Sequence, residues 1–154
     1  MATVKSPLAD DVQKTAGQAL QGALIDLIDL SLTGKQAHWN LTGRGFKMVH
    51  EHLDDVVAET RAASDEVAER AVMIGRNPDG RAHTVAGTSL IEQLEPGYLA
   101  EDKVVAAFTG MLYDVVVRMR ARIAATEDEP VTQDLLIGIT AGLEKHHWMF
   151  SVQQ

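Results

Sequence analysis

The sequence predicts an all-α protein, a bundle of four long helices with one long crossover between the second and the third. Three observations predict it. Ala, Leu, Glu, Gln and Arg recur at three- and four-residue intervals along most of the chain. Aromatic residues make up only 5% and alternating apolar and polar stretches are missing, so strand signals are weak. The 154 residues, 45% of them apolar, fill one core but not two, which predicts a single domain over residues 1–154.

The first helix begins between Ser6-Pro7 and Asp11, because serine ahead of proline suits an N-cap and first turn. It carries Leu20, Leu24 and Leu27 on one stripe and runs to about Trp39. Thr42-Gly43-Arg44-Gly45 breaks it, since two glycines one residue apart offer backbone conformations a helix does not use. A second helix starts near Phe46, buries Val49, Leu53, Val56, Val57, Val67, Ala71 and Ile74, and stops at Gly75 ahead of Asn77-Pro78. The stretch from Gly75 to Glu101 is too long for a structureless link inside a compact domain. Within it Ser89-Leu90-Ile91-Glu92 has the spacing of a capping box and predicts a short helix there. A third helix spans roughly Asp102 to Thr126, with Phe108, Leu112, Val115, Met119 and Ile123 on one stripe and acidic Glu101 and Asp102 at its favourable end. A fourth opens at Pro130-Val131 after Glu127-Asp128-Glu129 and carries Leu135, Ile139, Leu143, His147 and Phe150 toward Gln154.

Composition narrows the function. Asp and Glu number 22 against 14 Lys and Arg, a formal net charge of -8, so a polyanion meets a repulsive field unless basic residues cluster locally. The absence of cysteine excludes disulfide scaffolds, zinc ribbons and thiol catalysis, and leaves imidazole and carboxylate as metal ligands. Met1 to Val12 holds Lys5, Asp10 and Asp11 without a leader's apolar run, and no stretch approaches the ~18 apolar residues of a membrane span. The expectation is a soluble cytoplasmic protein.

The chemistry gathers around the first turn, where His38-Trp39-Asn40-Leu41-Thr42-Gly43 leads to His50, followed by Asp54, Asp65 and Glu69. At ~100° per residue, His50, Asp54, Asp65 and Glu69 fall within about 100° of one another on the second helix. Arg61 falls near the same stripe, so angles alone also fit a salt-bridged surface, and spacing has to decide. His50 and Asp54 are one turn apart, as are Asp65 and Glu69, so each pair offers two ligands to one region. Asp54 and Asp65 are separated by about 16 Å of helix rise, whereas ligands to one metal lie ~2.0–2.2 Å from it. One chain cannot close such a site. A two-fold axis across the helix can, because an antiparallel copy sets its Asp65 and Glu69 opposite His50 and Asp54. With His38 turned across the glycine bend, each of two equivalent sites gains two imidazoles and three carboxylates. That set suits iron or manganese with open positions, although zinc and other divalent metals also bind such ligands.

These residues carry a resemblance. His38-Trp39-Asn40-Leu41-Thr42-Gly43 with His50 and Asp54, and Asp65-Glu66-Val67-Ala68-Glu69-Arg70 leading to Ile74-Gly75 and Pro78, resemble the two patterns of the Dps family, the mini-ferritins called DNA-binding proteins from starved cells. The resemblance covers nearly the whole chain. It implies a ferritin-like four-helix bundle with a short extra helix in the connection between helices 2 and 3, and a hollow shell of twelve subunits with 23 symmetry. It further implies ferroxidase sites at the two-fold interfaces, with His38, His50 and Asp54 from one subunit and Asp65 and Glu69 from its neighbour. There two ferrous ions are oxidised, preferentially by hydrogen peroxide, and Fe3+ is stored as mineral, which protects against oxidative damage.

Weaker features stand beside the site. Trp39 follows a ligand and either intercepts a radical or packs at the dimer interface. Glu127, Asp128 and Asp134 fit an acidic pore that focuses Fe2+ toward the cavity, as in the family, and equally fit helix capping. His146-His147-Trp148 reads as packing and solvent contact, because adjacent helical residues diverge by about 100°. His52 and His83 are isolated in sequence. Direct DNA binding is expected to be weak or absent at physiological salt, since Lys5 is the one cation ahead of the first helix and twelve chains sum to roughly -96. The competing functions are a structural shell that compacts nucleoid DNA and a hydrolase using the same metals as Lewis acids, for which no substrate motif or nucleophile elbow is found.

Overall fold

The structure, a computed structural model, describes residues 4–154. The first three residues of the N-terminal stretch discussed above lie outside the described residues. The four long helices are α1 (Asp10–Asn40), α2 (Phe46–Met73), α4 (Glu101–Ala125) and α5 (Pro130–Ser151), with a short α3 (Ala82–Thr88) in the crossover. α1 lies along α2 and α4 along α5; the two pairs join through α1 against α4 and α2 against α5. Leu20, Leu27 and Leu30 meet Leu53, Val56 and Val67 and then Phe108, Leu112, Met119, Leu136, Leu143 and Phe150 in one buried cluster. No described helix is long and apolar enough to cross a membrane.

Two polar devices fasten the bundle. Asp26 of α1 is buried, and Arg118 of α4 grips it through two nitrogens while Arg122 Nη1 adds a bond of 2.7 Å. A carboxylate in that position is tolerated only because both guanidinium groups face it. At the start of α5 the Glu129 carboxylate accepts from the Thr132 amide at 2.8 Å and from Arg70 of α2 at 3.0 Å, so one buried acid caps α5 and ties it to α2.

The crossover does not follow the capping-box reading. Its helix occupies Ala82–Thr88 and ends where the box begins, with Ser89 as its C-cap. The Ser89 hydroxyl donates to buried Asp29 Oδ2 of α1 at 2.5 Å and accepts from the Ile91 amide, so it is committed to a tertiary bond. After it the chain runs without helix to the two-residue strand β2 (Leu99–Ala100), which pairs in parallel with β1 (Leu41–Thr42), Leu41 opposite Leu99. The buried stripe of α5 is also rotated from the expected one. Thr132, Leu136, Thr140, Leu143, His146 and Phe150 face inward, while Leu135 and Ile139 are only partly buried and His147 lies at the margin. Thr140 can be buried because its hydroxyl donates to the Leu136 carbonyl at 2.6 Å.

Candidate metal centre

The bend between α1 and α2 builds the centre. α1 ends at Asn40, β1 turns the chain, and Gly43 takes φ 142°, a backbone setting reserved for glycine, before Gly45 opens α2. This brings the last turn of α1 over the first turns of α2. The rings of His38 and His50 stack with centroids 3.5 Å apart and planes 20° apart. His38 Nδ1 lies 3.0 Å from the His50 carbonyl, and His50 Nδ1 lies 3.1 Å from the His38 carbonyl. A carbonyl only accepts, so each Nδ1 carries a proton, and in the neutral ring Nε2 is the nitrogen with the lone pair. The reciprocal bonds therefore fix both tautomers as metal-ready.

Asp54, one turn beyond His50, completes the group: His38, His50 and Asp54 each offer a ligand atom, all within 4.8 Å of one another. Among the described residues no other trio of His, Asp or Glu meets that condition. Asp54 Oδ1 also receives Lys35 Nζ at 2.5 Å, and His38 Nδ1 stands 3.3 Å from the same oxygen. The Lys35 hydrogen bond holds the Asp54 carboxyl below the usual carboxylate range; burial opposes it, and the charges of His38, Lys35 and His50 add to the lowering. It is thus ionised and ready to bind a cation. His38 is buried, His50 half-buried, and the Asp54 side chain 48% exposed, so the centre opens to the surface on its carboxylate side.

Asp65 and Glu69 lie on α2 at exposed positions and are not part of the trio. They sit about three and four turns beyond Asp54 along the same helix, as the spacing requires. Trp39 is 68% exposed, so within the chain its indole is a surface group rather than a packed one.

The ferritin-like domain family matches residues 17–153. The chain is 34% identical to DNA protection during starvation protein 2 of Deinococcus radiodurans over 95% of its own length and 61% of that protein. It is 36% identical to DNA protection during starvation protein of Mycolicibacterium smegmatis over 92% of its length and 78% of that protein. The chain belongs to the Dps family of ferritin-like proteins. Among solved structures, the tetragonal form of Mycobacterium smegmatis Dps superposes with a TM-score of 0.92 at 30% identity, covering 99% of this chain and 93% of that one. Dps from Microbacterium arborescens in its high iron form superposes with a TM-score of 0.90 at 30% identity, covering 97% and 98%. In this Dps-family chain the histidine pair sits at the bend between α1 and α2.

The structure also brings together groups that sequence reading missed. His52 is not isolated: its Nε2 lies 3.0 Å from His146 Nδ1, and His146 Nε2 lies 3.0 Å from Glu59 Oε2. The carboxylate accepts from His146, whose other nitrogen then accepts from His52, a directed chain between α2 and α5. His146 is therefore a buried, bonded residue and not a solvent contact. The partners are 94 positions apart, and nothing local signals the pairing. Lys35 had a signal, since it precedes His38 by three residues and so shares its face of α1. Of the acidic residues before α5, Glu127, Asp128 and Asp134 are exposed, and the capping role falls to Glu129.

Proposed function

We propose that this chain oxidises and stores iron, taking Fe2+ as substrate at centres shared between two subunits. His38, His50 and Asp54 of one chain supply one half of each centre, and the partner subunit's Asp65 and the partner subunit's Glu69 supply the other. The observation that carries this reading is the half-site itself. Three ligands converge on α1 and α2 with fixed tautomers, while the two carboxylates that would complete a nitrogen and oxygen shell stand too far along α2 to join in one chain. Hydrogen peroxide is the oxidant of this proposal. Two ferrous ions each give one electron, the peroxide O–O bond breaks and takes both, and two waters join to leave two FeO(OH) units and four protons. The product accumulates as mineral inside a dodecamer of 23 symmetry, and Glu127, Asp128 and Asp134 draw Fe2+ inward.

The residues of this chain contribute binding and charge. The carbonyl-anchored imidazoles present Nε2 as their ligand atoms, and ionised Asp54 supplies an anion able to bridge. Lys35 must give up Asp54 Oδ1 when a dication takes that oxygen, so its ammonium holds the carboxylate in place and competes with the metal.

The test is Fe3+ absorbance after anaerobic Fe2+ loading and addition of peroxide or oxygen, with an Asp54→Ala/Glu69→Ala variant of verified assembly. Fast, peroxide-preferring oxidation lost in the variant is the expected result. Equal slow oxidation in both would return the reading to a metal hydrolase or a structural shell. With a net charge of -8 per chain, a gel shift of DNA at about 0.15 M salt is expected to be absent.

A further inference from the structure

α2 lacks a cap of its own. Its N-cap is Gly45, which has no side chain, and its first turn contains no acidic residue. A helix that carries a metal ligand one residue beyond Val49 would fray there unless its free amides find a partner from elsewhere. One of them, that of Gly45, finds it 56 positions away. The carboxylate of Glu101, at the head of α4, accepts from the Gly45 amide.

The two glycines of the bend make room for that carboxylate. A Cβ at Gly43 would stand 2.5 Å from Glu101 Oε2, and one at Gly45 would stand 2.9 Å from the same oxygen. Both distances are closer than real Cβ atoms approach. Gly45 is negative in φ, so its backbone would accept another residue, and a Cβ there would instead displace the Glu101 carboxylate. The surrounding contacts hold the same register. Leu41 and Thr42 pair with Leu99 and Ala100, and Thr42 Oγ1 donates to the Leu99 carbonyl at 3.2 Å. The bend is thus fastened to the head of α4 at three successive points, and Glu101 is the one that reaches α2.

We propose that Glu101 is a positioning residue for the metal centre, a cap supplied to α2 in trans that fixes the register in which His38 and His50 bond each other's carbonyls. The Gly45 carbonyl accepts from the Val49 amide at 3.1 Å, and His50 follows directly. A first turn released from Glu101 opens through Val49 and frees the His50 ring from its stack on His38. A metal must then order both imidazoles at its own expense, and affinity falls. This inference rests on the proposed centre, and the experiment separates the two.

Co2+ is titrated into the full-length protein, with its visible absorption reporting nitrogen and oxygen coordination, in the parent and in Glu101→Ala, Glu101→Asp and His38→Ala variants. Glu101→Ala is expected to weaken Co2+ binding about tenfold, the range seen when a ligand's hydrogen-bonded support is lost. Glu101→Asp keeps the charge at the head of α4 but is one methylene short of the Gly45 amide, and is expected to weaken binding as alanine does. If the alanine variant fails to fold, the aspartate variant decides. Thermal melting of the same proteins identifies a merely structural role: a lowered midpoint with unchanged Co2+ affinity and spectrum would overturn the proposal while leaving the centre intact. Parent protein that binds Co2+ no better than His38→Ala would overturn the centre itself, and this proposal with it.

Discussion

At the scale of single residues, the centre is decided by which protons and charges the chain places around three ligands. Lys35 lies 2.5 Å from Asp54 Oδ1, so a neutral side chain of similar length should leave the carboxylate to the metal. Lys35→Met is expected to raise Co2+ affinity by about tenfold, read by competition with a coloured chelator, within the range over which neighbouring groups tune a site. Weaker binding in that variant would mean that Lys35 chiefly holds Asp54 in place. His52 gives a second prediction. Burial pushes its imidazole below the usual histidine range, with His146 adding to this and Asp55 opposing it. The folded chain therefore keeps His52 neutral while the unfolded chain takes up a proton below about pH 6.5. Its contribution to stability is complete above that pH and declines as the pH falls toward the lowered folded value. Metal-free protein should melt at a lower temperature at pH 5.5 than at pH 7.5, and His52→Gln should narrow the gap; an unchanged gap would remove His52 as its cause.

At the scale of elements, the helices were legible because their boundaries are written in local chemistry. Asp10, Phe46, Glu101 and Pro130 open the long helices within a residue or two of where caps, glycines and proline place them. What failed to show was everything settled by a distant partner. Ser89 looks like the start of a helix until Asp29 claims its hydroxyl, and Thr140 looks polar until its own helix satisfies it. The candidate site divides the same way. His38, His50 and Asp54 are near in sequence and could be placed together, whereas Glu101 and the His52 and His146 pair depend on how α4 and α5 pack. Glu129 illustrates the cost of such tertiary caps. Burial pushes its carboxyl up, but Thr132 and Arg70 together outweigh that and hold it below the usual range. Glu129→Ala leaves α5 uncapped and Arg70 without its anion, and should cost about 1–2 kcal/mol by denaturant unfolding. A loss within about 0.5 kcal/mol, the scale of an ordinary surface change, would mean that water replaces the cap.

At the scale of the whole molecule, the proposed shared centre makes a prediction that no single-chain site can imitate. In the proposed two-fold dimer each centre would take His38, His50 and Asp54 from one subunit, and Asp65 and Glu69 from the other. An Asp54→Ala homodimer lacks the first contribution in both centres, and a Glu69→Ala homodimer lacks the second in both. When the two variants are unfolded, mixed and reassembled, each mixed dimer pairs one doubly damaged centre with one that has every ligand. Random pairing makes about half the dimers mixed, so about a quarter of all centres are restored. Mixed protein should therefore recover about a quarter of the parent's rapid Fe2+ oxidation, although each variant alone has little. If ligation occurred within one chain, every chain in the mixture would still carry a defect and no recovery would follow. Recovery would also fix the orientation of the interface, because only an antiparallel approach of the two α2 helices brings residues about 16 Å apart along one helix to the same centre.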